Sequence, residues 1–381
     1  IHLDSADFPQ LKNAISTLTW KEKNYLEVKK SLISKLDDIK TKAASDYLKQ
    51  LYYDAGDTID LQYVILESLL KQKNLYAYRT FTDIVIAEPP VLNMNTYEYG
   101  GRTTRNQMYD ESYDSNNEDF MEELSDSLKL TKAILPDILP LINLDDYEYT
   151  MMELLAEMVD SSLIKPADYQ PYISKFLIEA KQALRKQAIA EKQKAIKMAE
   201  ESKRNPADKT ENSYNEGDNG NDDLELYATL LMPAWEMNDQ VKPLMEQLLR
   251  SSDNKLKFSV LLKMLKNGKP APDSLLIYFA KQDEYRYPFY KALKKINLFK
   301  LFPAAYDSHL DLGKSRLISE LDNRKPDSIQ YIDRLLTEVK GRKGYVYFYK
   351  YKFKKDDVNW RLASVGLLPL DPKQFEFEQN N

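Results

Sequence analysis

Histidine, cysteine and converging carboxylates carry most side-chain chemistry, and this sequence offers few of them in usable order. Cysteine is absent, which removes disulfides, thiolate nucleophiles and cysteine metal ligands together. The two histidines, His2 and His309, have no sequence neighbour at a metal-ligand or catalytic-triad spacing. His309 closes the run Tyr306-Asp307-Ser308-His309, which reads as a capping or surface segment. Adjacent acids occur at Glu122-Glu123, Asp145-Asp146 and Asp356-Asp357. A chain with 60 Asp and Glu produces such pairs by chance, so they read as solvated faces. The stretch from Asp218 to Asp223 opens like a calcium loop. An EF-hand needs a glutamate six positions after its glycine, and Leu226 stands there instead. There is no glycine-rich phosphate loop, serine elbow or paired-histidine zinc motif. No catalytic, metal-ligating or cofactor-binding residue is therefore expected.

One pattern does suggest contact with a partner. Tyr345, Tyr347, Tyr349, Tyr351 and Phe353 alternate with Val346, Phe348, Lys350, Lys352 and Lys354. That is the period of a strand with one aromatic face and one face turning basic. Lys355-Asp356-Asp357 makes a turn, and Val358 to Leu368, with Trp360, returns as a second strand. A lone hairpin is marginal in water, so it must pack on helices or pair with another chain. Tyr349, Lys350, Lys352, Lys354 and Trp360 are the candidate partner surface. Aromatics among lysines also suit stacking on single-stranded nucleic acid. The net charge of −6 argues against that, and no nucleic-acid partner is expected.

The elements that must hold this surface read as helices. Ten glycines in 381 residues do not suit a turn-dense β protein, and 43% hydrophobic residues suffice for real cores. The length favours several lobes or a stack over one core. Residues 1–91 form an N-terminal helical segment, with Ile59 to Leu70 and Leu75 to Ile86 at helical period before Pro89-Pro90 stops the chain. Residues 92–117 lose all periodicity and read as a polar loop insert whose tyrosines (Tyr97, Tyr99, Tyr109, Tyr113) are exposed. Helices resume over 118–204 and end in a long charged helix whose later half has little to bury. Residues 205–223 compose a disordered acidic linker. Residues 224–340 form C-terminal helical repeats, with Asn267-Gly268-Lys269-Pro270 as a stop signal and Ser328 to Val339 as the last helix. Residues 341–381 are the hairpin and tail. The expected fold is mostly all-α, as degenerate helical repeats or an irregular bundle, with a C-terminal β-hairpin. No run approaches the length of a membrane-spanning helix. The chain opens at Ile1 without methionine, which reads as a processed product or a piece of something longer.

Two stretches carry a family resemblance: Pro272 to Ala280 with Asp283-Glu284-Tyr285-Arg286 after it, and Lys343 to Lys352 leading into Trp360 and Val365-Gly366-Leu367. Together they resemble the C-terminal helical region of large exported bacterial proteins that begin with a TraB/GumN-like domain. That domain is similar to metal-dependent hydrolases and uses histidine and glutamate motifs near its start. Those motifs are missing here, so no active-site residue carries over. The resemblance implies an accessory region of an exported or envelope-associated protein, which contacts a protein partner or the rest of its own parent chain.

The leading expectation is a non-catalytic helical scaffold for protein–protein interaction. Two alternatives stand beside it. One is a hydrolase whose carboxylates meet only in three dimensions. The other is a carbohydrate- or envelope-binding module using some of the 27 tyrosines.

Overall fold

The computed structural model describes residues 3–18, 23–56, 58–90, 120–204, 219–321, 326–354 and 359–370. His2, the expected loop insert 92–117, residues 205–218 of the expected linker and Asp356-Asp357 lie outside the described residues. The chain is mostly helical and carries a C-terminal antiparallel sheet. It divides into two compact units, Ile1–Leu244 and Met245–Asn381.

The first unit contains α1 (Phe8–Thr17), α2 (Lys23–Ser34), α3 (Lys42–Ala55), α4 (Ile59–Lys71) and α5 (Leu75–Ala87). It continues with α6 (Leu128–Ile138), α7 (Asp145–Asp160), α8 (Ile173–Arg204) and α9 (Asn219–Leu231), and α10 (Val241–Leu248) spans the division. Local chemistry sets several starts. The Thr41 and Asn74 side chains accept from the backbone N–H groups of Ala44 and Ala77, capping α3 and α5. Leu61, Ile65, Leu66 and Leu69 on α4 are fully buried, as are Ala77, Phe81 and Ile84 on α5. α3 packs on both of these helices. Gln72 ties the ends together, donating to the Leu36 carbonyl at 3.0 Å and accepting from the Ser45 hydroxyl at 2.7 Å.

Two expectations change in this unit. α6 joins the end of one expected helix to the start of the next, because the flanking segments Glu122–Ser127 and Leu139–Asn143 are tight 3-10 turns. α9 opens at Asn219, so the last five residues of the expected linker are helical. On α8, every described side chain from Ala188 onward is exposed, and Ile189 and Ile196 are among them.

The second unit holds α11 (Asn254–Lys266), α12 (Asp273–Lys281), α13 (Arg286–Lys295) and α14 (His309–Ser319), followed by β1 (Ser328–Val339), β2 (Arg342–Lys352) and β3 (Arg361–Pro369). Asp253 and Ser308 cap α11 and α14. The stop at Asn267-Gly268 is real: Gly268 takes φ +65° just past α11. Phe258 of α11 meets Phe279 of α12, Tyr285 and Phe289 of α13, with ring centroids 5.1, 5.1 and 6.0 Å away.

Arg286 fastens this unit from inside. Its guanidinium is buried and donates to the carbonyls of Ala280 and Lys281 at the end of α12, at 2.8 and 2.9 Å. It also donates to Asp283 at 2.6 Å and to the Asp311 carbonyl of α14 at 3.4 Å. Asp283 accepts from Lys314 of α14 as well, at 2.7 Å. Burial works to raise the Asp283 carboxyl, but the bonds from Lys314 and Arg286 outweigh it and hold the group below its ordinary range.

The sheet runs β1-β2-β3, antiparallel throughout. β1 is the main departure from expectation, since Ser328–Val339 is a strand and the expected hairpin is a three-stranded sheet. Ile329, Ile332, Leu335, Leu336 and Val339 fall at helical spacing, but the segment is joined to β2 by Lys340-Gly341. Both residues have positive φ, +48° and +75°, as a tight two-residue hairpin turn requires. Pairing along the aromatic β2 outweighs the local helical period.

α14 lies against β2 and β3. A Cβ on Gly313 would meet the Tyr349 hydroxyl at 2.7 Å and the Tyr347 ring at 3.5 Å, so only glycine lets the sheet sit this close. At Gly344 a Cβ would fall 2.4 Å from the Leu368 carbonyl oxygen, which is backbone and cannot swing aside.

Two outcomes follow from this packing. Arg286→Ala leaves two helix-end carbonyls without their donor and Asp283 with Lys314 alone, and urea denaturation should show a loss of about 3 kcal/mol. Gly344→Ala must push β2 and β3 apart; a fall of roughly 2 kcal/mol is expected, and an unchanged midpoint would contradict the packing described.

Candidate functional site

The sheet presents two unlike faces. Register places Tyr347, Tyr349 and Tyr351 of β2 on one side with Val365 and Ala363 of β3, and all three tyrosines are buried. Tyr349 is 1% exposed and its hydroxyl donates to the Leu310 carbonyl at 3.0 Å. Tyr349 is therefore part of the joint with α14 and leaves the candidate partner surface. Burial pushes its hydroxyl well above the ordinary tyrosine range, so it stays a neutral donor.

The other side carries Val346, Phe348, Lys350 and Lys352, with Leu362 of β3 opposite Lys350 and Leu335 of β1 opposite Val346. Here the structure does bring sequence-expected residues together. The Lys350 and Lys352 ammonium groups lie 4.9 and 5.3 Å from the Trp360 ring centroid. These cation–π contacts engage the indole that base stacking would use. Lys354 follows β2 and is exposed. Leu362 is 77% exposed and Leu335 57%.

β1 extends this apolar surface to the edge of the sheet. It pairs with β2 alone among the described strands. Tyr331, Ile332, Leu335, Leu336 and Val339 are all exposed large side chains on this one strand. Their helical spacing explains the exposure: laid on a two-residue pleat, apolar positions three and four apart fall on both faces. Sequence reasoning missed these residues by assigning the segment to a helix. The Lys340-Gly341 dipeptide between Val339 and Arg342 was the signal that could have found them.

A second cluster lies in the first unit, where three elements distant in sequence meet. Lys71 of α4 binds Glu67 of the same helix and lies 3.5 Å from Glu123 on the turn Glu122–Ser127. Asp37, on the turn Lys35–Asp37 at the end of α2, faces Ser68 and Lys71. Burial pushes the Asp37 carboxyl up to about 7, against the hydrogen bond from Ser68 and the Lys71 charge. Burial also raises Glu123, with Lys71 opposing. Of these residues the sequence showed only the four-residue Glu67–Lys71 spacing.

The remaining candidates stay apart. His309 is the first residue of α14, and burial lowers its basicity. Asp145 and Asp146 form the exposed first turn of α7, where carboxylates suit the helix dipole. Among the described residues no group of three or more histidine or acidic side chains is placed to hold a metal ion, and no helix is long and apolar enough to cross a membrane. About half of the described tyrosines are buried in cores, and Tyr52, Tyr78, Tyr147 and Tyr169 are among them. No protein-family model, curated protein or solved structure matches the chain.

Asp37 sets a pH dependence whose sign is definite. A carboxyl with a folded pKa above its unfolded value of about 3.9 favours the folded state when protonated, so stability falls as pH rises from about 4 through 7. Asp37→Asn should raise stability by roughly 4 kcal/mol at pH 8 and leave it nearly unchanged at pH 4. Urea midpoints at the two pH values check this; an equal effect at both would show that the carboxyl charge is not the cause.

Proposed function

We propose that this chain is a non-catalytic helical scaffold that binds polypeptide partners, with the C-terminal sheet as its contact surface. The observation that carries the reading is β1, a twelve-residue edge strand with five exposed large hydrophobic side chains. Such an edge offers unpaired backbone N–H and C=O groups beside apolar side chains, which is what strand addition by another chain uses. The cationic outer face beside it adds charge on a chain whose net charge is −6. The polypeptide reading is favoured over a sugar or base platform because Tyr347, Tyr349 and Tyr351 of β2 are buried against α14 and the Trp360 ring is engaged by Lys350 and Lys352. The family resemblance would make this scaffold an accessory part of a longer exported protein.

A photo-reactive amino acid at Leu335, introduced in cells that make the protein, tests the reading. Ultraviolet light should join Leu335 to another polypeptide several-fold more efficiently than the same group at Ile277, an exposed residue of α12. Equal yields at the two positions would remove the sheet as the contact surface.

A further inference from the structure

We propose that the turn Lys35–Asp37 is a latch worked by one proton: a neutral Asp37 holds it closed on α4, and ionisation of that carboxyl lets it open. The device lies in the first unit and does not depend on the contact surface of the sheet.

The geometry leaves Asp37 short of donors. Its Oδ1 atom is buried and meets no hydrogen-bond donor. The cation facing the carboxyl from α4 is Lys71, whose ammonium group is already bound to Glu67 and lies 3.5 Å from Glu123. Asp38 adds negative charge from the same segment, and Asp126 does so beside Glu123. Ser68 of α4 offers only a neutral hydroxyl. One lysine cannot neutralise Asp37, Glu67 and Glu123 together. The proton settles on the carboxyl whose buried oxygen has no other partner, because an orphaned neutral group costs far less than an orphaned charge. Burial accordingly pushes the Asp37 carboxyl up to about 7.

The turn can respond by moving alone. It is held to the unit by the fully buried Leu36 and by Gln72, whose side-chain nitrogen donates to the Leu36 carbonyl at 3.0 Å. Ile33 and Ile39 are buried on either side of it. The chain is fastened beyond these residues without help from Asp37: Lys30 of α2 reaches Asp60 of α4 at 3.2 Å, and Thr41 caps α3. Between those anchors, residues 31–40 can leave α4 while α3, α4 and α5 keep their mutual packing. The sign follows from the two states of the carboxyl. Its value is about 7 with the turn closed and about 3.9 with the turn open, so acid favours the closed form. The closed form loses about tenfold in its equilibrium for each pH unit between those values, and no more above them.

Hydrogen exchange of the full chain, followed by mass spectrometry from pH 5 to pH 8 and corrected for the intrinsic rate at each pH, reads the opening. The reporters are the amides of Ile39 and Thr41, which donate to the carbonyls of Leu36 and Ile39 at 3.1 and 2.8 Å. Their opening equilibrium should rise on the order of 100-fold over this range. At pH 8 they should be protected at least roughly tenfold less than the amides of α7 in the same unit, since unfolding of the whole unit exposes both alike. Asp37→Asn should remove the rise and keep the segment as protected at pH 8 as the wild type is at pH 5. Glu123→Gln leaves more of the Lys71 charge to Asp37 and should move the rise to lower pH, which a turn held by packing alone would not do. A wild type without the rise overturns the proposal, as does a rise that survives Asp37→Asn. Equal protection of the segment and α7 makes the opening global, which removes the latch and leaves the urea prediction standing. If Asp37→Asn does not fold, Glu123→Gln decides, and an unmoved midpoint overturns the proposal.

Discussion

The contact between Gly313 and Tyr349 governs the part of the molecule with the clearest functional content. Because α14 has no side chain at Gly313, the Tyr349 hydroxyl reaches past it to the Leu310 carbonyl. A small antiparallel sheet has little independent stability in water, and burying one face against a helix supplies what it lacks. The same contact decides which face is spent. Tyr347, Tyr349 and Tyr351 go inward, so the alternation of the strand sends Lys350 and Lys352 outward beside Trp360.

Arg286 does for the helices what Gly313 does for the sheet. Two carbonyls left open at the end of α12, a carboxylate and the start of α14 all converge on one guanidinium. A buried cation is costly alone, and here Nε, Nη1 and Nη2 each donate to an acceptor. The Asp37 cluster of the first unit shows the opposite balance. Lys71 is drawn toward Glu67 and Glu123, and Asp37 is left with too little positive charge nearby to offset its burial. It is a place where the interior tolerates a proton more readily than a charge.

The sticky edge of β1 and its misleading sequence have one cause. Apolar residues spaced three and four apart make a good helix stripe and a poor strand, since a pleat can hide only every second side chain. The chain nevertheless takes the strand, because β2 is a long aromatic partner joined by a turn of the favoured kind. What the strand cannot bury on its own remains exposed, and the polypeptide-binding proposal grows from that remnant of unburied surface.

By itself the sequence determined the helices, because their causes are local. Period, caps at Thr41, Asn74, Asp253 and Ser308, and the stop at Gly268 act within a few residues of one another. It also determined the alternation in β2, although not which face would be hidden. The tertiary structure alone decided that Ser328–Val339 is a strand, that Tyr349 is core while Lys350 is surface, and that Asp37 meets Lys71. Each of these depends on a neighbour tens of residues away. A strand has no internal hydrogen bonds to announce it, and a side chain's environment is set by whatever the fold brings against it.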